Sequence, residues 1–570
     1  MMKLTKRLSA SILRLLPFLR WPRPSAQSLQ RDAWAGMSVG LVLIPQALAY
    51  ASLAGMPPLT GLYAAMLPCV VGMLWGSSAL LAVGPVALTS ILVFGSLSSL
   101  ATPGSAQWIA LAIWLALYSG LIQFALGAAQ MGKITYLVSQ PVITGFMNAA
   151  ALIIIFSQLP HLLGIHFNSG LTFSSVFEGS SPLLILSPVS LMTTAFGCTA
   201  LAALLLLKRF VPQWPGLLIV TVLGIVASHV LDFAGAGGAI VGRLSAGLPP
   251  LSLPPALPLE SHVELLPLAL ILAVISFTEA MSSCRVLARR TNAQWDENQE
   301  LIGQGLAKIA SGLSGAFPVS GSFSRSALNL YAGATSAWAS LVAALCVLLC
   351  LLFFIGLIQD LPYAVLAAMI IMPVFSLLDF AAFGRLFRIS RDDALVALVT
   401  FGVTLGFTSR LHFGVFAGIA VTMVCFLYRR THPRIIEVAR HADGTLRGRL
   451  RFDLPPLAPG VLAVRMDSAL NFLTAATLER FITEKYRADG RIRCVLLGAS
   501  GINDIDASGV DVLAALLHAL RADGIELYLA AVKKQVAEVL DHAGLSTAIG
   551  ADHFFATDSE AMAALVSRQK

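Results

Sequence analysis

Apolar runs close to 20 residues long recur from about residue 34 to about 428, separated by short polar, glycine- and proline-containing or basic stretches. After about 440 the texture changes: charges return at ordinary density and the apolar runs shorten. A run of about 20 apolar residues, wound as a helix, matches the hydrocarbon thickness of a bilayer. The pattern predicts fourteen spans, at 33–53, 58–76, 85–100, 107–130, 134–159, 184–207, 215–232, 264–284, 299–314, 321–333, 336–357, 361–377, 394–408 and 411–428. The expected fold class is an α-helical polytopic membrane protein with a C-terminal α/β domain. Its parts are a cytoplasmic segment over 1–32, a transmembrane domain over 33–430 and a soluble domain over 440–570.

Two of these spans, the third and the tenth, are too short to cross as full helices. The third opens at Gly84-Pro85, and glycine followed by proline suits an abrupt entry into a helix, with proline at the first helical position. The tenth opens in the same manner through Pro318, Ser320, Gly321, Ser322 and Ser324. The pair stand seven places apart in the order of spans, so each half of the chain contributes one interrupted helix as its third element. Short, interrupted segments at matching positions of two halves point to an inverted-repeat transporter with a site near the midplane. A channel with a re-entrant loop uses the same device, and Gly84-Pro85 alone reads equally as a proline kink.

Charge sharpens this reading. Arg325, in the opening of the tenth span, is the only Lys or Arg between Lys308 and Arg385. A cation at that depth costs roughly 2.5–3.5 kcal/mol on insertion scales, and it persists where it faces water, a counter-charge or a substrate. A helix N-terminus beside an arginine is an anion site. Glu279 is the matching lone acid, in the middle of the eighth span, and suits a proton relay, a cation ligand or a counter-charge. Burial opposes its ionisation and a nearby Arg325 favours it, as proton coupling to an anion requires; the alternative is an ion pair that only ties two helices together. In the first span Pro45 frees a backbone carbonyl and Gln46 offers a donor and an acceptor, for ligand contact or for interhelical hydrogen bonding. Lys308, in the ninth span, is given no role.

Of 570 residues, 57% are hydrophobic and 12% charged, about half the charged fraction usual for soluble domains. The net charge of +8 is a matter of topology, not of nucleic-acid binding. Lys3, Lys6, Arg7, Arg14, Arg20, Arg23 and Arg31 crowd the N-terminus, and further basic clusters stand at Lys208/Arg209, Arg285/Arg289/Arg290, Arg385/Arg388/Arg391 and Arg429/Arg430. The polar loops at 161–182 and 232–263 hold only Arg243. This positive-inside pattern puts both termini and the basic clusters in the cytoplasm. The apolar stretch Ser9–Leu19 is short and lacks a cleavage site, so it reads as an interfacial segment and not a signal peptide. The seven cysteines are scattered, and Cys346 with Cys350 on one helix face reads as packing, not as a disulfide or metal site.

The tail reads β (461–465), β (469–472), α (474–489), β (492–498), α (508–522), β (525–531), α (533–542), β (553–556) and α (558–567). Its loop at 503–509 opens a helix, with Asp506 or Ser508 as the cap. It contains no phosphate loop, metal spacing or nucleophile–base set, so a regulatory or assembly module is expected, with no cofactor and no enzymatic activity.

Three segments carry a resemblance that covers essentially the whole chain. They are Ala35-Gly-Met-Ser-Val-Gly-Leu-Val-Leu-Ile-Pro-Gln-Ala-Leu-Ala-Tyr-Ala-Ser-Leu-Ala-Gly55 with Gly61-Leu-Tyr63; Asn298-Gln-Glu-Leu-Ile-Gly-Gln-Gly-Leu-Ala-Lys308 with Phe317-Pro-Val-Ser-Gly-Ser-Phe-Ser-Arg-Ser326; and Val495-Leu-Leu-Gly-Ala-Ser500 with Asp504-Ile-Asp-Ala-Ser-Gly509. Together they resemble the sulfate permease (SulP) family of anion transporters, and the third looks like a STAS domain. The resemblance implies two inverted seven-span repeats divided into core and gate, a homodimer and elevator-like movement of the core. It implies an anion held between the N-termini of spans three and ten, at Gln46, Pro85, Val86, Ala87, Thr89, Ser322, Phe323, Ser324 and Arg325, with Glu279 in proton coupling. Two residues depart from the family pattern: Ala507 stands where related STAS proteins carry a phosphorylatable serine, with Ser508 next to it, and Ser322 stands for a frequent glycine.

The expected function is proton-coupled import of sulfate, a C4-dicarboxylate or bicarbonate across a bacterial inner membrane, with lipid around the spans and an unidentified cytoplasmic partner for the STAS domain. Sodium-coupled bicarbonate uptake and an anion sensor signalling through the STAS domain are the alternatives. A purine or pyrimidine permease would share the fold, but the STAS tail and Arg325 count against it.

Overall fold

The computed structural model describes residues 17–20 and 24–567, except 134–137, 165–190, 212–213, 243–246, 252, 376 and 408–409. The basic residues before residue 17, most of the stretch Ser9–Leu19, most of the loop at 161–182 and Arg243 lie outside the described residues. The chain forms two units, Met1–Thr422 and Met423–Lys570.

In the first unit every expected span coincides with a helix. These are α1 (Ala26–Leu53), α2 (Pro58–Trp75), α3 (Ala87–Leu97), α4 (Ala106–Ala128), α5 (Gln140–Leu163), α6 (Leu191–Phe210), α7 (Gly216–Val230), α8 (Leu259–Thr291), α9 (Glu297–Leu313), α10 (Phe323–Tyr331), α11 (Trp338–Leu349), α12 (Tyr363–Phe375), α14 (Arg391–Gly406) and α15 (His412–Thr431). Between α12 and α14 lies α13 (Ala381–Ile389), which the span pattern does not contain. Its nine residues carry Arg385 and Arg388, so a hydropathy reading passes over it as a basic loop. α1 starts well before the apolar run because Ser25 and Ser28 form a reciprocal cap there. α11 continues to Asp360 through a π turn and 3-10 turns. Among the described residues eight helices are long and apolar enough to cross a membrane, while α3, α7 and α12 are shorter apolar helices.

The helices sort into two packed groups. In one, α4 lies along α9 and α8, and α1 lies along α2 and α11. In the other, α5 packs on α14 and α12, and α6 on α12 and α7. Close approach inside the first group needs bare backbone. A Cβ on Gly120 of α4 would stand 2.7 Å from the Gly305 carbonyl of α9, and one on Gly305 would stand 2.6 Å from the Phe124 amide. Small residues of this kind let membrane helices associate without a hydrophobic driving force.

Both short helices are approached through a strand, which the sequence does not announce. β1 (Ala82–Gly84) pairs antiparallel with β2 (Ser320–Ser322), in the register Ala82↔Ser322, Val83↔Gly321 and Gly84↔Ser320. This moves the start of the third span. Pro85 is not the first helical residue: Gly84 is still in the ladder, and Val86 is extended at φ −136°, ψ 145°. Its carbonyl takes the first helical bond, from Ser90 N at 3.0 Å, so α3 begins at Ala87.

The second unit holds a six-stranded sheet in the order β4-β3-β5-β6-β7-β8. Its strands are β3 (Ile435–Arg440), β4 (Leu446–Gly448), β5 (Val461–Met466), β6 (Cys494–Gly498), β7 (Glu526–Ala530) and β8 (Phe554–Phe555). β5 to β8 run parallel, and β3 is antiparallel to both its neighbours. The helices are α16 (Ala475–Ala488), α17 (Ala507–Ala522), α18 (Lys534–His542), α19 (Leu545–Ile549) and α20 (Asp558–Ser567). Two apolar cores result. One, around Leu497, Leu516 and Leu529, is larger than the other, around Leu496, Tyr528 and Met562. The parallel strands and the long helices follow the sequence reading. The strand expected over 469–472 does not form: Leu470 makes one bridge, to Ile505. β3 and β4 precede every strand expected there. β3 falls largely between the transmembrane domain expected to end at 430 and the soluble domain expected to start at 440.

Candidate functional site

The β1–β2 ribbon decides how the two half-helices meet. The chain leaves β1 at Gly84, opposite Ser320, and leaves β2 at Ser322, opposite Ala82. Antiparallel pairing therefore sets the N-termini of α3 and α10 at opposite ends of a ribbon three residues long, roughly 7–10 Å at strand rise. Ser326 Oγ tightens it by accepting from Ala82 N at 2.9 Å. The free N–H groups at both helix starts carry partial positive charge.

Arg325 is the third residue of α10 and only 1% exposed. Ser322 caps the helix, its Oγ accepting from Arg325 N at 3.4 Å. The guanidinium reaches back across the ribbon, since a Cβ placed on Gly84 would lie 3.3 Å from Arg325 Nη2. The side chain of one half-helix thus stands at the entry to the other. Nε, Nη1 and Nη2 make no hydrogen bond within the protein. Nearly all buried polar groups are paired, so an unpaired buried guanidinium marks a place where a ligand or water belongs.

It is not alone. Gln46 Oε1 on α1, Thr89 Oγ1 and Ser90 Oγ on α3, Glu279 Oε2 on α8 and Asn329 Oδ1 on α10 are also buried without a partner. Of the residues singled out from the sequence, Gln46, Pro85, Val86, Ala87, Thr89, Ser322 and Arg325 are buried around the two helix starts, whereas Phe323 and Ser324 are exposed. Gly321 lets α8 come close: a Cβ there would meet Leu81 Cδ1 at 2.9 Å and Ala280 Cβ at 3.1 Å. Ser326 and Asn329 were not singled out; they follow Arg325 at one and four positions, a helical spacing that was available as a signal.

A cavity of about 270 Å³ opens beside the ribbon. Leu88, Thr278, Glu279 and Phe323 line it from the first helical group, and Phe146 and Val415 from α5 and α15. Glu279 is the only ionisable residue on its wall among the described residues. Arg325 is not among the residues that line it. The site therefore has two parts, Glu279 on the wall of the cavity between the helical groups and a cation enclosed within one group.

In the second unit Asp506, and not Ser508, caps α17. Its carboxylate accepts from Gly509 N at 2.8 Å and from Phe472 N at 3.0 Å, while Ser508 is exposed.

Residues 29–400 match the model of the sulfate permease family, and residues 456–561 match that of the STAS domain. The chain belongs to the sulfate permease family. A Mycobacterium tuberculosis protein named as a probable sulfate transporter is 33% identical over 533 residues, covering 93% of this chain and 94% of that one. An Arabidopsis thaliana protein named sulfate transporter 4.1, chloroplastic, is 30% identical over 583 residues, covering 95% and 81%. Among solved structures, murine Solute Carrier 26 family member A9 in the inward-facing state superposes with a TM-score of 0.89 at 24% identity, over 98% of this chain and 95% of that one. The transmembrane domain of the cyanobacterial bicarbonate transporter BicA superposes with a TM-score of 0.59 at 24% identity, over 70% of this chain and 98% of that one. The sulfate permease member described here is thus a multi-pass membrane transporter with a C-terminal STAS domain, and not an enzyme.

Proposed function

We propose that this transporter imports a small oxyanion or carboxylate by proton-coupled symport, with the anion bound between the N-termini of α3 and α10. The observation that carries the proposal is Arg325: enclosed, without a hydrogen-bond partner, and reaching from the start of one half-helix to the start of the other. A guanidinium and two sets of free backbone amides recognise negative charge without prescribing one shape. Sulfate is favoured by the names of the relatives, and bicarbonate and C4-dicarboxylates fit the same chemistry. Gln46, Pro85, Val86, Ala87, Thr89, Ser322, Phe323 and Ser324 complete the binding region. Glu279, on the cavity wall, takes the proton, because a protonated carboxyl beside the bound anion removes a repulsion that its ionised form imposes.

The first helical group, α1 to α4 with α8 to α11, would carry the anion past the second in an elevator-like movement. The transport domain is taken as 33–430, after a cytoplasmic segment over 1–32. The protein acts as a homodimer in a bacterial inner membrane, with the STAS domain (440–570) and both termini in the cytoplasm.

Uptake of labelled sulfate, bicarbonate and succinate into proteoliposomes tests this, at several external pH values and with and without sodium. Uptake should rise as external pH falls, and Glu279→Gln should remove that dependence. Sodium-dependent uptake with a flat pH profile would replace the proton reading, and binding without accumulation of any anion would favour a sensor.

A further inference from the structure

Lys308 lies on α9 and is fully enclosed, with 0% exposure. Its Nζ donates to Gln123 Oε1 on α4 at 2.9 Å and to Ser276 Oγ on α8 at 2.6 Å. Both acceptors are held in place. Gln123 Nε2 donates to the Ala273 carbonyl at 2.7 Å, which turns its oxygen towards the lysine. Ser276 Oγ donates to the Leu272 carbonyl at 2.5 Å and accepts from Gln123 Nε2 at 3.2 Å, which leaves one lone pair for Nζ. The pocket thus presents oxygen acceptors, as an ammonium needs.

No carboxylate lies within ion-pair distance of Lys308 among the described residues, and neither acceptor carries charge. Ser276 and Glu279 are three residues apart on α8, so the ammonium is anchored one helical turn behind the carboxyl that faces the cavity. The same turn is tied to the ribbon, since Ser320 Oγ donates to the Ser276 carbonyl at 2.8 Å. Lys308 is thus hydrogen-bonded to the same turn of α8 that holds the ribbon leading to Arg325, and Glu279 stands on the next turn of that helix. Glu300, the buried acid of α9, is about 12 Å along the helix from Lys308 at 1.5 Å per residue. It is already bound to the Ser77 and Ser78 amides at 2.8 and 3.0 Å.

The charge count of Arg325, Lys308 and Glu279 has a consequence for the cargo. With Lys308 protonated, it and Arg325 contribute two positive charges, against one negative charge on an ionised Glu279. When Glu279 takes a proton the three hold two uncompensated charges, which a doubly charged anion neutralises and a singly charged anion only halves. Inside a low-dielectric core the leftover charge is costly. We propose that Lys308 is a second fixed cation of the transport site and sets its preference for doubly over singly charged anions. This rests on the anion-transport reading and deepens it.

Selenate and perchlorate test it, because with sulfate they share tetrahedral oxyanion shape while their charges differ. Native protein in proteoliposomes should take up labelled sulfate, with selenate a competitor at least tenfold stronger than perchlorate. Two variants remove the charge in different ways: Lys308→Met deletes it, and Gln123→Glu places a carboxylate against it. In both, perchlorate should gain at least tenfold on selenate. The ratio is read within one preparation, so it does not depend on how much of a variant folds. A ratio within twofold of native in either active variant overturns the proposal. It is also overturned if perchlorate matches selenate on the native protein, or if the native protein carries bicarbonate but neither sulfate nor succinate. Native protein that carries none of these anions sinks the transport reading itself, which is a separate result.

Discussion

Two ions in the first unit are equally enclosed and differ in everything else. Asp32, near the start of α1, is 0% exposed and fully engaged. Its Oδ1 accepts from Thr335 N at 2.6 Å, Thr335 Oγ1 at 3.1 Å and Ser336 N at 3.1 Å, and its Oδ2 accepts from Ser336 Oγ. It ties α1 to the turn that leads into α11. Arg325 is 1% exposed, and its three side-chain nitrogens bond to nothing in the protein. Burial alone does not distinguish structural charge from functional charge; satisfaction does. A buried ion whose partners are all supplied by the fold stabilises one arrangement, whereas one left open is available to a ligand.

The sharpest way to break this contrast is Arg325→Met. We expect transport to fall at least a thousandfold, equivalent to about 4 kcal/mol. Thermal stability in detergent without substrate should stay level or rise, because replacing an uncompensated buried charge with an apolar side chain of similar length relieves a cost. A large drop in stability would show that Arg325 has a partner within the fold and is structural after all.

Asp32→Ala should do the reverse. It leaves the Thr335 and Ser336 amides without an acceptor, a loss of about 3 kcal/mol for hydrogen bonds to a charged group. The melting temperature should fall, while the uptake rate per folded molecule remains close to native. Wild-type stability in this variant would mean that water replaces the carboxylate and that the clamp is dispensable.

The sequence made half of this contrast legible. A lone arginine among apolar residues is visible, and so are Gly84-Pro85 and the fourteen segments, because length and hydropathy are local properties. What holds Asp32 is not visible, since Thr335 and Ser336 are polar residues like many others until α1 and α11 lie side by side. The β1–β2 ribbon was hidden for the same reason: strands three residues long carry no periodicity, and each finds its partner in the other half of the chain. Without the ribbon, proline at the first helical position was the natural reading of Gly84-Pro85. With it, Pro85 follows the end of a strand. Lys308 was seen but not understood, because Gln123 and Ser276 come from two other helices and only packing brings their oxygens to one point. In the second unit the parallel strands and the longer helices were legible from alternation and amphipathic pattern. β3 falls largely between the two expected domains.

The smallest expected effect carries the same test into the second unit, at the loop where the sequence left two candidates for one cap. Asp506 is satisfied, accepting from Gly509 N and Phe472 N, while the neighbouring Ser508 is exposed. If satisfaction marks structure, Asp506→Ala should loosen the first turn of α17 by about 1 kcal/mol, the usual cost of a lost helix cap. Hydrogen exchange at the Gly509 and Phe472 amides of the full-length protein should then speed up roughly fivefold, since local opening governs exchange there. Ser508→Ala should change neither amide by more than about twofold, as for a surface substitution within about 0.5 kcal/mol. Protection that survives Asp506→Ala but is lost in Ser508→Ala would transfer the cap to the serine and make the exposed hydroxyl, not the carboxylate, the group that orders this loop.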